Sequence, residues 1–273
     1  MNNSTTRFSS RVEAYLRYRP SYPDAMLEYM TKNFGVSPRS IVADIGSGTG
    51  ILTGLLLPKV KYVYAVEPNA EMRRAAEALY AGNSRFESRD GTAENTSLPD
   101  ASVDFITAAQ AFHWFEPEAS KMEFRRILRR GGQAFLIWNR RVHATPFLLE
   151  FELCLMDLAP EYALVRHENV SPAMLRAFFD NRFAMADFEN RQILDWNGLL
   201  GRLDSTSYIP SIGSREYLSI VDRMREAFDT YSRGGMIELF YACEVYSGGF
   251  DDAGSAFTGE HPAPQTPSSN RIG

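Results

Sequence analysis

Cysteine is scarce in this 273-residue chain: only Cys154 and Cys243 occur, far apart and with no His or Cys at metal-ligand spacing. This excludes a disulfide framework and leaves no readable metal site, and it fits a reducing compartment. Long apolar runs are missing as well. None approaches the ~20 residues needed to span a bilayer, and the first ten residues hold no apolar segment of the kind found in secretion signals. Basic charge is not in excess, since 29 Lys and Arg stand against 34 Asp and Glu for a net charge of −5. Nucleic acid and anionic membrane are therefore poor partners. Gly and Pro fall between periodic segments and form no repeat, which excludes collagen-like and low-complexity architectures. What is present is a 44% apolar chain, long enough for one large α/β domain or two small ones. The expected setting is cytoplasmic.

The periodicity alternates in type along the first half. Ile41–Ile45 reads as a buried strand, followed by a glycine cluster and a helical run through Leu52, Leu55 and Leu56. Tyr62–Glu67 and Asn69–Tyr80 repeat the strand-then-helix pattern. Phe86 opens a third strand, Val103–Ala108 is a fourth, Phe115–Arg130 a helix, and Ala134–Trp138 a fifth strand after Gly131 and Gly132. Strands separated by helices predict a doubly wound, mostly parallel sheet. The rhythm then changes. Thr145–Leu158 and Ser171–Phe179 read as helices with no strand between them, a helical cover over about 141–185 inserted after strand five. Phe188–Trp196 is expected as the sixth strand, Ser214–Tyr231 as a helix capped by Ser214, and Met236–Tyr246 as the seventh strand. Domain organisation follows: an N-terminal lid segment over 1–39, the main domain over 40–246, and a disordered tail over 247–273, too poor in apolar periodicity to offset chain entropy.

The chemistry concentrates at Asp44-Ile45-Gly46-Ser47-Gly48-Thr49-Gly50, directly between the first strand and its helix, where a doubly wound sheet opens its ligand crevice. Glycines there let the backbone turn sharply and approach a ligand. The spacing departs from the dinucleotide fingerprint, because Ile51 stands where the third glycine belongs, and no Lys-Ser or Lys-Thr pair follows to make a triphosphate loop. Glu67 closes the second strand, 21 residues after Gly46, where an acid accepts hydrogen bonds from two ribose hydroxyls. A nucleoside bearing a charged amino-acid group suits this pattern, and S-adenosyl-L-methionine is such a molecule.

The run Val42–Gly50 resembles the signature of class I S-adenosylmethionine-dependent methyltransferases. Further blocks, Arg17–Pro23, Gly91–Glu94, Gln110–Phe115, Arg126–Gly132 and Ser205–Tyr208, are similar to the small-molecule subgroup known as methyltransferase type 11, over roughly Phe8–Gly248. The resemblance implies a seven-stranded Rossmann-like methyltransferase fold and methyl transfer to a small-molecule acceptor by direct displacement. It implies that Gly46, Ser47, Gly48 and Gly50 pass the methionine end, that Glu67 holds the ribose, and that Pro68 and Met72 lie near adenine. Thr92, Ala93 and Glu94 would edge the adenine ring; Thr92 stands where many relatives carry Asp, leaving the amino group to Glu94 or to backbone. Gln110 and Ala111 would border the methionine moiety.

Several residues keep two readings. Asp44 either contacts the cofactor or supports the turn from behind, and Glu67 can also stabilise the helix that follows it. His113 is a candidate general base, with packing around the cofactor the favoured reading. His143 and His167 fall in the cover, and His261 in the tail. The arginines of Arg125–Arg130 suit a helix C-terminus better than an anion site. Phe147, Leu148, Leu149, Phe151, Leu153, Leu155 and Met156 either line a pocket or pack the cover. Tyr15, Tyr18, Arg19 and Tyr22 suggest a lid, with Arg19 reaching a carboxylate of cofactor or substrate. Alternatives of other classes are a noncatalytic S-adenosylmethionine-binding protein of the same fold, an NAD-dependent oxidoreductase, and methylation of RNA or protein. The expected assembly is a monomer or homodimer.

Overall fold

The computed structural model describes residues 12–162 and 170–250. Two helices, α1 (Val12–Tyr18) and α2 (Asp24–Phe34), precede the alternating core. The core runs β1 (Ile41–Ile45), α3 (Ile51–Leu56), β2 (Tyr62–Val66), α4 (Ala70–Leu79), β3 (Phe86–Arg89), β4 (Val103–Ala109), α5 (Pro117–Ile127) and β5 (Leu128–Arg141). Then follow α6 (Pro146–Leu158), α7 (Pro172–Phe178), β6 (Ala184–Leu194), α8 (Trp196–Asp204), α9 (Arg215–Tyr231) and β7 (Ile237–Gly248). Short polar side chains start the helices: Asn69, Thr145, Ser171, Asp195 and Ser214 each accept from a backbone N–H in the first turn of the helix they cap.

The seven strands form one sheet in the order β3-β2-β1-β4-β5-β7-β6. All neighbours are parallel except β7, which runs antiparallel to both β5 and β6. The strand order reverses between β1 and β4, so the carboxyl ends of these strands splay apart and leave a crevice. Alternation along the strands builds a core on each face. Ala43, Ile45, Ile106 and Ala108 pack with Phe124, Ile127, Leu175 and Phe178 from α5 and α7. On the other face Val42, Val63, Phe105 and Ile137 pack with Met26, Met30, Leu52 and Leu56 from α2 and α3. Among the described residues no helix is long and apolar enough to cross a membrane.

Four expectations need correction. The helix before β5 ends at Ile127 and the strand begins at once, with a register shift opposite Val103–Phe105 absorbing the two glycines. The sixth strand spans Ala184–Leu194, because Asp195 caps α8, a helix the sequence reading did not find. The cover is not confined to 141–185. α7 belongs to the core with α5, whereas α6 packs on α8, α9 and the ends of β6 and β7 in a separate cluster around Phe151, Leu199, Leu203 and Met224. The tail boundary is early: β7 continues through Gly248, and Phe250 is buried against Phe178 and Phe179. Residues 251–273 lie outside the described set, as does His167.

The N-terminal segment is likewise two things. α2 is core, with Met26, Leu27 and Met30 buried. α1 lies on α8, where the Tyr18 ring stands so close to Gly201 that no Cβ would fit there.

Candidate functional site

The turn after β1 is tied to the end of β2, since the amides of Gly46 and Ser47 both donate to Val66 O, at 2.8 and 3.2 Å. Gly46 has φ of 67°, and a Cβ on it would lie 2.6 Å from Ala111 Cβ, so only glycine lets β1 turn beneath the loop after β4. Gly48 has φ of 58°, and a Cβ on it would make ordinary contact with Met72 Sδ at 3.8 Å and the Tyr15 ring at 4.0 Å. These residues border a cleft lined by Gly46, Gly48, Glu67, Met72, Ala93 and Ala111.

Glu67 sits at the base of the cleft with 7% of its surface exposed. One carboxylate oxygen accepts from Gly48 N at 2.9 Å and the other from Asn69 N at 2.8 Å. Burial raises its pKa, against these two amides and the nearby Arg73 guanidinium, which favour the anion. One side chain thus clamps the glycine turn to the start of α4 and keeps lone pairs for a donor arriving from the cleft.

Asp44 stands behind the turn and does not line the cleft. It is 1% exposed and accepts from Thr53 Oγ1 at 2.7 Å and Thr107 Oγ1 at 2.8 Å, joining α3 and β4 to β1. Burial pushes its carboxyl up to about 6, against those hydroxyls.

A second cavity adjoins the cleft. Tyr15, Gln110 and Trp114 line both, so the two share a wall. Gln110 holds a left-handed backbone, φ 55°, while its amide donates to Ile137 O at 2.8 Å. The second cavity is lined by Arg19, Arg141, Arg202, Tyr208, Tyr241 and Glu152, among others.

Three comparisons bear on this geometry. Residues 43–136 match a family model described as a methyltransferase domain. An uncharacterized methyltransferase of Mycobacterium tuberculosis is 40% identical over 134 residues, 49% of this chain and 52% of that protein. A protein of Saccharomyces cerevisiae, named as a probable S-adenosylmethionine-dependent methyltransferase, is 32% identical over 129 residues, 45% of this chain and 43% of that one. Over residues 43–136 the chain is thus similar to the methyltransferase type 11 family.

The matched stretch runs from β1 into β5 and contains the glycine turn, Glu67 and Gln110. The chain spans about half the length of the relatives it matches. A solved structure from Anaeromyxobacter dehalogenans, provisionally assigned as a type II methyltransferase, aligns with a TM-score of 0.59 at 25% identity, covering 85% of this chain and 97% of that one. A structure from Anabaena variabilis shares the fold at a TM-score of 0.62 and 20% identity, covering 86% and 100%.

The structure brings Gly46, Gly48, Glu67, Pro68, Met72, Thr92, Ala93, Glu94, Gln110 and Ala111 to one cleft. Ser47, Gly50 and Asp44 lie outside its lining. Gly50 starts α3, with Tyr80 OH donating to its carbonyl at 2.7 Å. Glu94 already accepts from Glu116 N at 2.8 Å, at the start of α5. Arg19 lines the second cavity instead, donating through Nε and Nη2 to Ser205 O at 3.2 and 2.8 Å. His113 lines that second cavity too, its ring 5.0 Å from that of Trp114.

Other expectations sort plainly. The Tyr15–Tyr22 segment is a fastened wall, with Tyr18 O accepting from Gln192 Nε2 at 2.8 Å. Arg125, Arg126 and Arg129 pair with Asp180, Glu123 and Asp104. None of the seven apolar residues of α6 lines either cavity; Phe147, Leu148, Phe151 and Leu155 pack the cover, while Leu149, Leu153 and Met156 are exposed. Arg141, Arg202 and Tyr241 are cavity residues the sequence reading missed. Only Tyr241 carries a signal in the sequence, since it shares the period-two face of Leu239, Cys243 and Val245.

Proposed function

We propose that this chain binds S-adenosyl-L-methionine in the cleft and transfers its methyl group to a small-molecule acceptor in the adjoining cavity by direct displacement. The observation that carries this reading is Glu67, a buried carboxylate whose two oxygens are already oriented by Gly48 N and Asn69 N at the base of the cleft. The residues fit the cofactor. Glu67 presents acceptors to vicinal hydroxyls, Gly48 leaves room where any other residue would project a side chain, and Met72 and Ala93 offer apolar surface to a purine. When bound, S-adenosylmethionine supplies a methyl carbon made electrophilic by the sulfonium.

The chain's own contribution is positional. The clamp of turn to α4 fixes the floor of the cleft before ligand arrives, and Gln110, Tyr15 and Trp114 hold the shared wall past which the two reactants must meet. His113 faces the acceptor side, where it packs on Trp114. An anionic acceptor needs no base, so the reading does not depend on a proton acceptor.

Titration calorimetry of the full chain with S-adenosylmethionine and S-adenosylhomocysteine is the direct test. Binding of either supports the reading; heat from neither, in a sample that unfolds cooperatively, removes it.

A further inference from the structure

The second cavity holds more positive charge than its own residues balance. Arg19, Arg141 and Arg202 line it, and among the described residues Glu152 is the only carboxylate that does. Glu152 is already engaged: Tyr162 OH donates to both of its oxygens at 2.8 Å, Arg141 Nη2 lies at 3.5 Å and His143 Nε2 at 3.2 Å. Arg202 is 6% exposed and has no carboxylate partner among the described residues; its Nη1 reaches Ser205 Oγ at 3.4 Å. A guanidinium this buried is costly unless something anionic offsets it.

Hydrogen bonding points the same way. Among the described residues, Arg141 Nε, Arg202 Nε and the hydroxyl of Tyr241 are buried atoms with no hydrogen-bond partner, on three residues that line this one cavity. Tyr241 is 4% exposed. Buried polar groups in folded proteins are nearly always paired, so three unpaired donors around one space mark the place of an acceptor. Neighbouring groups register the field. Burial alone would raise the Tyr208 phenol, yet Arg141, Arg202 and Arg19 together hold it below its ordinary value. Burial and the like charge of Arg202 lower Arg19.

We propose that this cavity docks the methyl acceptor through a carboxylate, bound by Arg141 and Arg202 with Tyr241 donating a further hydrogen bond, so that the acceptor is a small organic acid. The proposal rests on the cofactor reading of the adjoining cleft. Three side-chain donors match the two oxygens of one carboxylate. Guanidinium forks also suit phosphate, which the probes below separate from a carboxylate.

The test uses the full chain with succinate, benzoate, inorganic phosphate and choline as probes, read by calorimetry and by thermal shift, with and without S-adenosylhomocysteine. Succinate or benzoate should bind and choline should not. Arg202→Gln should weaken the carboxylate about tenfold or more, and Tyr241→Phe, which removes a single oxygen, about threefold to tenfold; both should keep their affinity for S-adenosylhomocysteine. Tyr241→Phe carries the test if Arg202→Gln does not fold. The proposal fails if neither carboxylate binds a sample that does bind S-adenosylhomocysteine, if phosphate binds and the carboxylates do not, or if both variants bind carboxylate like the wild type. Carboxylate binding lost in the variants, in a chain that binds no S-adenosylhomocysteine, would uphold the anion site and remove only the cofactor reading.

Discussion

Replacing Glu67 by Gln separates what this residue does for the fold from what it does for a ligand. The carboxylate serves two amides, Gly48 N and Asn69 N, through different oxygens. A glutamine of the same shape keeps one carbonyl oxygen and turns an NH2 toward the other amide. One buried N–H then loses its acceptor, which costs roughly 1–3 kcal/mol. Part of that is returned, because burial disfavours the anion that glutamine removes. The expected net loss is about 1–2 kcal/mol. At roughly 2–4 °C per kcal/mol for a domain of this size, the melting temperature of the ligand-free protein should fall by about 2–8 °C. Affinity for S-adenosylhomocysteine, measured where both forms are fully folded, should fall by about tenfold or more, since a hydrogen bond to a charged acceptor contributes ~1.5–3 kcal/mol. A variant that melts with the wild type would show that the clamp carries no stability. One that melts lower but binds equally well would confine Glu67 to holding the turn.

The remaining expectations concern the groups around that clamp. Asp44 titrates near 6 in the folded protein against an ordinary 3.8, so its contribution to stability is complete below about 3.8 and is lost as pH rises through 6. At ~1.4 kcal/mol per pH unit the loss is roughly 3 kcal/mol. Asp44→Asn should therefore lack this step, and denaturant unfolding at pH 4 and pH 7.5 should show the wild type losing ground to the variant at the higher pH; a constant difference between them would refute the assignment. Gly46→Ala combines a left-handed backbone with a Cβ 2.6 Å from Ala111 Cβ, and should cost about 2–5 kcal/mol. Gly82→Ala, equally left-handed with nothing within 4 Å, should cost only about 1–2 kcal/mol; equal melting temperatures for the two would contradict the steric account. His113→Ala should leave S-adenosylhomocysteine binding within about twofold, and a selective collapse of kcat would establish it as a base.

Much of the cofactor side could be read from sequence because its signals are local. Asp44 and the three glycines lie within seven residues, and Glu67 follows at the end of the next strand, so the order of strands alone brings them to one crevice. The turn also explains why a resemblance of short motifs reached so far: Gly46 is required by contact with Ala111, and Gly50 by contact with Tyr80, whatever ligand is bound. Where the reading left a gap between Trp196 and Ser214, the reason is physical. α8 is short, contains Gly198 and Gly201, and buries Arg202 beside Leu199 and Leu203, so neither propensity nor a clean apolar stripe announces it. The end of β7 was missed for a related cause. Ser247 and Gly248 are poor strand formers, placed in the sheet by pairing with Phe135 and Ala134 and by the aromatic cluster around Phe250.

The second cavity resists sequence reading because it is assembled from long range. Arg19 follows α1, Arg141 ends β5, Arg202 lies in α8 and Tyr241 in β7, and each alone is an ordinary basic or aromatic residue. Their meaning comes only from enclosure, since three guanidiniums on a surface would be a solvated patch, whereas around one buried space with a single engaged carboxylate they form an imbalance that a ligand must settle. The strained Gln110 stands where that space meets the cofactor cleft, its backbone held left-handed by pairing with Ile137. Such strain persists only where surrounding structure over-determines it. Moving Gln110 into an ordinary conformation would break its amide bond to β5 and shift the wall common to both cavities. Gln110→Gly should relieve the strain and leave the chain as stable or more so, while carboxylate and S-adenosylhomocysteine, titrated together, lose any dependence of one affinity on the other; undiminished coupling in that variant would show that the wall does not transmit it.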